Sequence, residues 1–520
     1  MAAIRHIGAR LYAGLTSDVV LVLVGSSLLV GSNARADGPS IEPAHLPRIG
    51  TVGERFQSYN IEMVEVTGGR FWRPYRQALP ARMAPSGANA PAGIDPGRYA
   101  YRPPIELGQA RLRKLAAALS PAYLRISGSW ANSTYFADSD QQPSAPPPGF
   151  NGTLTRRQWR GVVEFAHDVD ARIVTSFAIS EGTRDAAGAW MPDQARRLVA
   201  YTTSVGGRIA AAEFMNEPDL VMIGGAPPGF DAITYGRDFK LFHAFVRQDA
   251  PDILILGPGA AGDTVAVSKL LAASGSGVDA FSYHFYGMLS ERCGGTGTPQ
   301  AALSEDWLSR TDKALTFNRA LRDQFEPGKP IWLTETGEAA CGGDRWAATF
   351  LDTFRYLDQL GRLAKAGVEV VMHNTLAASD YGLLDERTLA PRPNYWGALL
   401  WHRLMARGVL EAGVPARAGL HVYAHCQRAV AGGVTLLVIN NDRDARHQLT
   451  IARPAQRYTL DAVSLGDSTI RLNGVRLALT AADDLPRFAA VATPAGTVTF
   501  APATITFLAV PTAGNAMCSL

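Results

Sequence analysis

Apolar and polar positions along this chain follow two rhythms, one after the other. From Phe56 onward, apolar runs of strand length alternate with stretches whose apolar residues recur at i, i+3, i+4 and i+7. That alternation is the pattern of βα units around a parallel sheet. Eight strand candidates stand out, at residues 56–63, 123–128, 172–179, 208–215, 253–257, 280–286, 331–335 and 368–376. Between them Leu112, Leu115, Ala116 and Leu119 trace one apolar helix face, and Trp159, Val162, Val163 and Ala166 trace another. Phe350, Phe354 and Leu357 do the same after the seventh strand. Eight such units predict an α/β fold, the (β/α)8 TIM barrel, and the helical stripes are core packing with no chemistry of their own.

After about Met405 the helical rhythm stops and short alternating strands take over, at 420–425, 434–440, 458–463, 469–472, 475–479 and 504–510. Asn473-Gly474 suits a type I′ hairpin, and Gly432-Gly433 marks another turn. The chain therefore divides into a catalytic barrel over 55–405 and an antiparallel β-sandwich over 406–520, with 37–54 adding a strand to that sandwich. Residues 79–104 and 143–149 are rich in Pro, Gly and Ala and break the barrel rhythm. They read as extended loops at the strand tips or along the barrel wall. The first follows the aromatic, basic run Arg70-Phe71-Trp72-Arg73 and reads equally as a wall of part of a cleft or as a surface excursion.

Residues 1–36 have the form of a cleaved leader: Arg5 and Arg10 precede the apolar run 19–30, and Ala34-Arg35-Ala36 supplies an A-x-A site. The run is short for a membrane span and contains Gly25, Ser26 and Ser27. A secreted or periplasmic protein with no membrane attachment after cleavage is expected. Export permits disulfides, and Cys293, Cys341, Cys426 and Cys518 form an even set without C-x-x-C spacing, so no zinc site is expected. Three connectivities are open. Pairing of Cys293 with Cys341 and of Cys426 with Cys518 is a guess from their places in neighbouring loops and in the β-rich tail. A formal net charge of +3 over 520 residues, with no basic run, argues against nucleic acid as a partner.

The candidate chemistry lies at two strand ends. In Ala211 to Asp219, AAEFMNEPD, an apolar run ends on Asn216, Glu217 and Pro218; in Pro330 to Glu338, PIWLTETGE, Glu335 sits where the apolar character ends. Active sites of such barrels lie at the carboxyl ends of the strands. Two carboxylates there are the parts of a retaining glycoside hydrolase, one to protonate the leaving oxygen and one to attack the anomeric carbon. Glu217, after the fourth strand, and Glu335, ending the seventh, are the expected catalytic pair. Asn216 is placed to bond a sugar hydroxyl, and Tyr286, at the tip of the sixth strand, to donate to Glu335. His284 reads equally as a functional group or a satisfied core histidine. Glu213 lies within its strand and Glu338 beyond a strand tip, and neither is expected to be catalytic.

These motifs resemble the heparanase-like β-glucuronidases, glycoside hydrolase family 79, within the clan of retaining barrel glycosidases. The resemblance rests on NEPD and WLTETGEAACGG, and extends to FQSYNIEM, YLRISGS, VDAFSYHFY, VEVVMHNTLAASDYGLLD and PNYWGALL. It implies Glu217 as acid/base and Glu335 as nucleophile, with Asn216 and Glu62 holding hydroxyls of the sugar. It further implies a uronate carboxylate held by the backbone amides of Gly342 and Gly343 and by Tyr381. Where the family's animal endo-enzymes carry lysines after the Asn-Glu-Pro motif, this chain reads DLVMIGGAPPGF, so cationic sulfate subsites are not carried over. The expectation is a monomeric enzyme that needs no metal or cofactor and cleaves β-linked glucuronic acid from a glucuronate-containing oligosaccharide or polysaccharide. The rival expectations are a neutral-sugar glycosidase of the same clan and a non-catalytic glycan-binding protein.

Overall fold

The computed structural model describes residues 38–75, 96–262 and 264–519; the leader segment and most of the first long loop lie outside them. Eight parallel strands close into a barrel: β1 (Gln57–Glu62), β2 (Ala122–Ser127), β3 (Ala171–Ser176), β4 (Ile209–Glu213), β5 (Leu254–Ala260), β6 (Ala280–Leu289), β7 (Ile331–Ala340) and β8 (Val370–His373). Each strand pairs with its sequence neighbour, and β8 closes the ring on β1 through Val371 opposite Gln57 and His373 opposite Tyr59. The strand pattern follows from burial on both faces. Val174, Ala211, Leu256, Ala280, Trp332, Val370 and Met372 fill the barrel interior. Their chain neighbours Ile173, Ala212, Ile255, Phe281, Leu333 and Val371 pack outward into the main core.

Beyond the barrel lies an antiparallel sheet whose central order is Met405–Leu410, His421–Gln427, Val434–Asn440, Thr504–Val510 and Ala455–Asp461. A smaller sheet of Ser40–Ile41, His447–Ile451 and Gly496–Phe500 accompanies it. In Val434–Asn440 the alternation is visible residue by residue. Leu436 and Val438 join the core with Leu449, Ile451, Val498 and Phe500 of the smaller sheet, whereas Leu437 and Ile439 belong to the core shared with the barrel helices. The N-terminal segment contributes to both sheets, since Ser40–Ile41 pairs with His447–Ile451 and Arg48–Thr51 with Met405–Leu410. Asn473 and Gly474 both have positive φ, 50° and 81°. They join Arg471–Leu472 to Val475–Arg476 as the two-residue turn their sequence predicts. Disulfides join Cys293 to Cys341 and Cys426 to Cys518.

A buried ionic seam links sandwich and barrel. Asp358, in the helix Phe350–Lys365, lies 2.5 Å from His421 Nδ1 and accepts from the Tyr423 hydroxyl at 2.5 Å and from Arg362 at 2.6 Å. Burial alone would lower the His421 pKa, but the Asp358 carboxylate more than offsets this and raises it to about 9. Desolvation offsets much of the attraction in such a buried pair, so its presence alone is weak evidence of added stability.

The sequence reading needs correcting in three places. Glu335 does not end its strand: β7 runs on to Ala340 beside a β6 that runs on to Leu289, with Tyr286 opposite Gly337 and Leu289 opposite Ala340. Glu338 is therefore inside a strand and fully buried, accepting the amide of Asp344. Polar and small residues disguise this extension, which neighbouring loops bury. Secondly, Tyr99–Arg102, assigned to a long loop, is a strand paired with Gly69–Trp72 and steadied by Trp72 and Tyr99, whose rings lie 4.7 Å apart. Thirdly, the sandwich strands Met405–Leu410, His447–Ile451 and Gly496–Phe500 were not recognised. Among the described residues no helix is long and apolar enough to cross a membrane.

Candidate active site

Interior positions change character toward the carboxyl ends of the strands, from aliphatic residues to an ionic cluster. Arg125 of β2 is 1% exposed and lies among acceptors from three other strands and the turn after β4. Its guanidinium donates to Glu213 of β4 at 2.8 and 3.0 Å, to Glu335 of β7 at 2.9 Å and to the Asn216 side-chain oxygen at 2.8 Å. It also faces His284 Nε2 of β6 at 3.2 Å. Glu213 accepts further hydrogen bonds from Ser282 and Thr334 hydroxyls at 2.8 and 2.7 Å. Its lone pairs are thus committed to the barrel, and it stays ionised: burial pushes its pKa up, but Arg125 and the other donors take it below the ordinary value.

Glu217 is positioned by a strained backbone. The side chain of Asn132 clamps the residue before it, accepting from the Asn216 amide at 2.8 Å and donating to the Asn216 carbonyl at 2.9 Å. Glu217 itself has φ of 47°, a left-handed conformation uncommon for a residue with a side chain. Its amide donates to the Gly259 carbonyl of β5 at 3.1 Å. This turn carries the carboxyl into the barrel mouth, where Oε1 lies 3.1 Å from His284 Nδ1. Burial first, and then the negative charge of Asp219, raise the Glu217 pKa to about 8, against the opposing pull of Arg125.

Glu335 faces it. Its carboxylate accepts from the Tyr286 hydroxyl at 2.6 Å and from Arg125 at 2.9 Å. One carboxylate oxygen of Glu217, one of Glu335 and one ring nitrogen of His284 all lie within 4.8 Å of one another. That spacing suits a nucleophile and an acid acting on one anomeric carbon. The positive charge that such a cluster requires is built in as Arg125.

The remaining sequence candidates surround this pair. Glu62, at the end of β1, accepts from Asn374 Nδ2 at 3.0 Å. The same amide group reaches the hydroxyls of Tyr286 at 3.0 Å and Tyr381 at 3.2 Å. Glu62 and Glu335 are close enough to repel. Burial, and then that neighbouring charge, hold the Glu62 pKa well above the carboxylate range. Gly128 makes room for it: a Cβ there would come within 1.5 Å of Glu62 Oε2, and its φ is +89°. The Tyr286 and Tyr381 rings stack with centroids 6.4 Å apart, and Gly337 fits against both.

Gly342 and Gly343 follow β7, both with positive φ. Here the structure narrows the expectation, because the Gly343 amide donates to the Ala339 carbonyl at 3.1 Å and is already committed. Gly342 is needed for space, since a Cβ would collide with Arg292, Ser379 and Trp72. Of these, Arg292 and Ser379 stand beside Trp72 in a wall to which the sequence reading did not assign them. Arg292 donates to Asp380 at 2.6 Å and to the Cys341 carbonyl at 2.5 Å, its amide donates to Tyr75 at 3.0 Å, and Cys293–Cys341 ties the loops after β6 and β7.

Asn132, Asn374, Arg292 and Asp380 carried no sequence signal of their own. Arg125 did carry one: within YLRIS it shares a face with Tyr123 and Ser127, opposite Leu124 and Ile126, so a charge was predictable inside the barrel.

A general acid must be protonated to work, so the raised Glu217 pKa has a signed consequence. On an aryl glycoside with a poor leaving group, kcat/KM is expected to hold up to near neutral pH and to fall as pH passes through about 8. Glu217→Gln is expected to remove that limb. An alkaline limb that persists unchanged in Glu217→Gln would show that Glu217 is not the acid.

The description "Glycosyl hydrolase family 79, N-terminal domain" matches residues 104–361. Heparanase-like protein 1 of Arabidopsis thaliana is 30% identical over 361 residues, 65% of each chain, so this chain spans just under two thirds of that relative. Heparanase of Mus musculus is 28% identical over 497 residues, covering 83% of this chain and 90% of its own. Baicalin-beta-D-glucuronidase of Scutellaria baicalensis is 28% identical over 329 residues, covering 58% of this chain and 59% of its own. The match spans β2 to β7 and so takes in Arg125, Glu217 and Glu335. On these grounds the chain belongs to the heparanase-like glycoside hydrolases of family 79.

Proposed function

We propose that this protein is a retaining β-glucuronidase acting on glucuronate-bearing glycans, with Glu335 as nucleophile and Glu217 as acid and then base. One observation carries the mechanism: two carboxyl groups approach within 4.8 Å in unlike surroundings. Glu217 is buried and raised to about 8, and Glu335 is oriented by a guanidinium and a phenol hydroxyl. In the first half-reaction Glu335 attacks the anomeric carbon, the glycosidic bond breaks, and the leaving oxygen takes the Glu217 proton. In the second, Glu217 removes a proton from water as that water attacks the same carbon and releases Glu335. Both halves invert, so configuration is retained.

The choice of sugar rests on family membership and on polar groups around the glycone position. The Tyr381 hydroxyl and the Glu62 and Asn374 side chains gather beside Glu335. The similarity to the baicalin-beta-D-glucuronidase of Scutellaria baicalensis supports a uronic acid there. Two disulfides suit an oxidising compartment, in keeping with an exported enzyme.

Aryl β-glucuronide, β-xyloside and β-glucoside compared at equal concentration test the assignment. The glucuronide is expected to be cleaved with the highest kcat/KM, and turnover of neutral sugars alone would reject the uronate reading. Sizing the products from a defined glucuronate-containing oligosaccharide then separates internal from terminal cutting.

A further inference from the structure

His284 stands between the two candidate catalytic carboxyls, and neither half-reaction above makes use of it. Nδ1 lies 3.1 Å from Glu217 Oε1 and 3.8 Å from Glu335 Oε2. On the other side of the ring, Nε2 lies 3.2 Å from Arg125 Nη2 and 4.0 Å from Glu213 Oε1. The ring has no exposed side-chain surface, so these neighbours decide its state. A guanidinium nitrogen can only donate, and the imidazole nitrogen facing it must therefore accept. A neutral ring whose Nε2 accepts carries its proton on Nδ1, and an Nδ1–H at 3.1 Å from Glu217 donates to Oε1.

We infer that Arg125 locks His284 as the Nδ1–H tautomer, and that His284 thereby acts as a positioning residue that decides which oxygen of Glu217 carries the acid proton. With Oε1 accepting from the imidazole, the proton resides on Oε2. When the glycosidic bond breaks, that proton passes to the leaving oxygen and Glu217 becomes a carboxylate, whose new charge the Nδ1–H already meets. In the second half-reaction the same N–H occupies Oε1, and Oε2 takes the proton from water. One fixed donor thus serves both halves without moving. Arg125, Glu213 and Asn216 belong to the same unit, since Nη2 also donates to Glu213 Oε2 and to the Asn216 side-chain oxygen, each at 2.8 Å, and so has no lone pair to offer an Nε2–H.

The inference rests on Glu217 as the acid, and leaving-group dependence separates its failure from the failure of that reading. A dinitrophenyl leaving group departs without protonation, whereas a phenyl group needs the acid. In the full-length enzyme, His284→Leu is expected to lower kcat/KM on the phenyl glycoside about 10- to 100-fold while changing the dinitrophenyl glycoside by less than about 3-fold. Retained turnover of the activated substrate also shows that the variant is folded with its nucleophile in place. His284→Asn, which keeps an N–H donor near the Nδ1 position, is expected to recover most of the phenyl activity. Equal losses on the two substrates, no loss on either, or an asparagine variant as slow as the leucine one would overturn the inference. If Glu217→Gln itself loses no more on phenyl than on dinitrophenyl, the acid assignment falls and this inference falls with it. The ratio is taken on whichever aryl glycoside the wild type cleaves best, so the result does not depend on the sugar.

Discussion

Replacing Glu335 by glutamine is expected to lower kcat on an aryl glycoside by roughly 10,000-fold or more while leaving the fold intact. The amide has the volume of the carboxylate and can still accept from Tyr286, which now lies 2.6 Å from Oε1. It cannot form the glycosyl ester, so the loss should be independent of the leaving group. Glu217→Ala should behave differently: poor leaving groups suffer and activated ones much less, and the glycosyl-enzyme accumulates because the base is gone. Added azide, which needs no base, should then speed turnover and release a glycosyl azide of retained configuration. The same addition should do nothing for Glu335→Gln. A Glu335→Gln enzyme within about 10-fold of wild type, or azide rescue appearing in the Glu335 variant and not in the Glu217 variant, would reverse or remove the two roles.

How much of this was legible in the sequence depended on whether the signal was local. The barrel strands declared themselves because both their faces are buried: Val174 and Ile173, or Leu256 and Ile255, are apolar whichever way they point. Asn216, Glu217 and Pro218 are adjacent in the chain, and the strained turn they form needs no distant partner to be suspected. Other features are defined only by register. Glu213 was set aside as non-catalytic, and its role as the counter-ion of Arg125 depends on β2 and β4 presenting both side chains to the barrel interior from 88 residues apart. Asn374 becomes a hub for Glu62, Tyr286 and Tyr381 only when β8 closes on β1. The β6–β7 extension was hidden because Thr336, Gly337 and Glu338 are buried by loops from elsewhere, and polar residues covered in that way leave no apolar rhythm. His284 was undecided because its neighbours, not its own position, fix what it does.

Arg125 is where stability and chemistry meet, and Arg125→Met is expected to damage both. The substitution keeps length but leaves Glu213, 0% exposed, without its cation, a change that costs about 3 to 5 kcal/mol for a buried pair broken on one side. At the same time Glu335 loses one of its two donors, Asn216 loses its anchor and His284 Nε2 loses its partner. Arg125 also pulls the Glu217 pKa down, so removing it should move the alkaline limb of the pH profile further upward. Arg125→Lys restores a charge but not the planar fork that reaches several acceptors at once, and should recover stability better than rate. The decisive comparison is the double variant Arg125→Met with Glu213→Gln. Neutralising the orphaned carboxylate removes the buried charge, so denaturant midpoints should return toward wild type while turnover stays low. If the double variant were no more stable than Arg125→Met alone, the Arg125–Glu213 pair would not be what holds the barrel interior together. If it regained activity, the guanidinium would be a structural brace with no part in orienting Glu335 and His284.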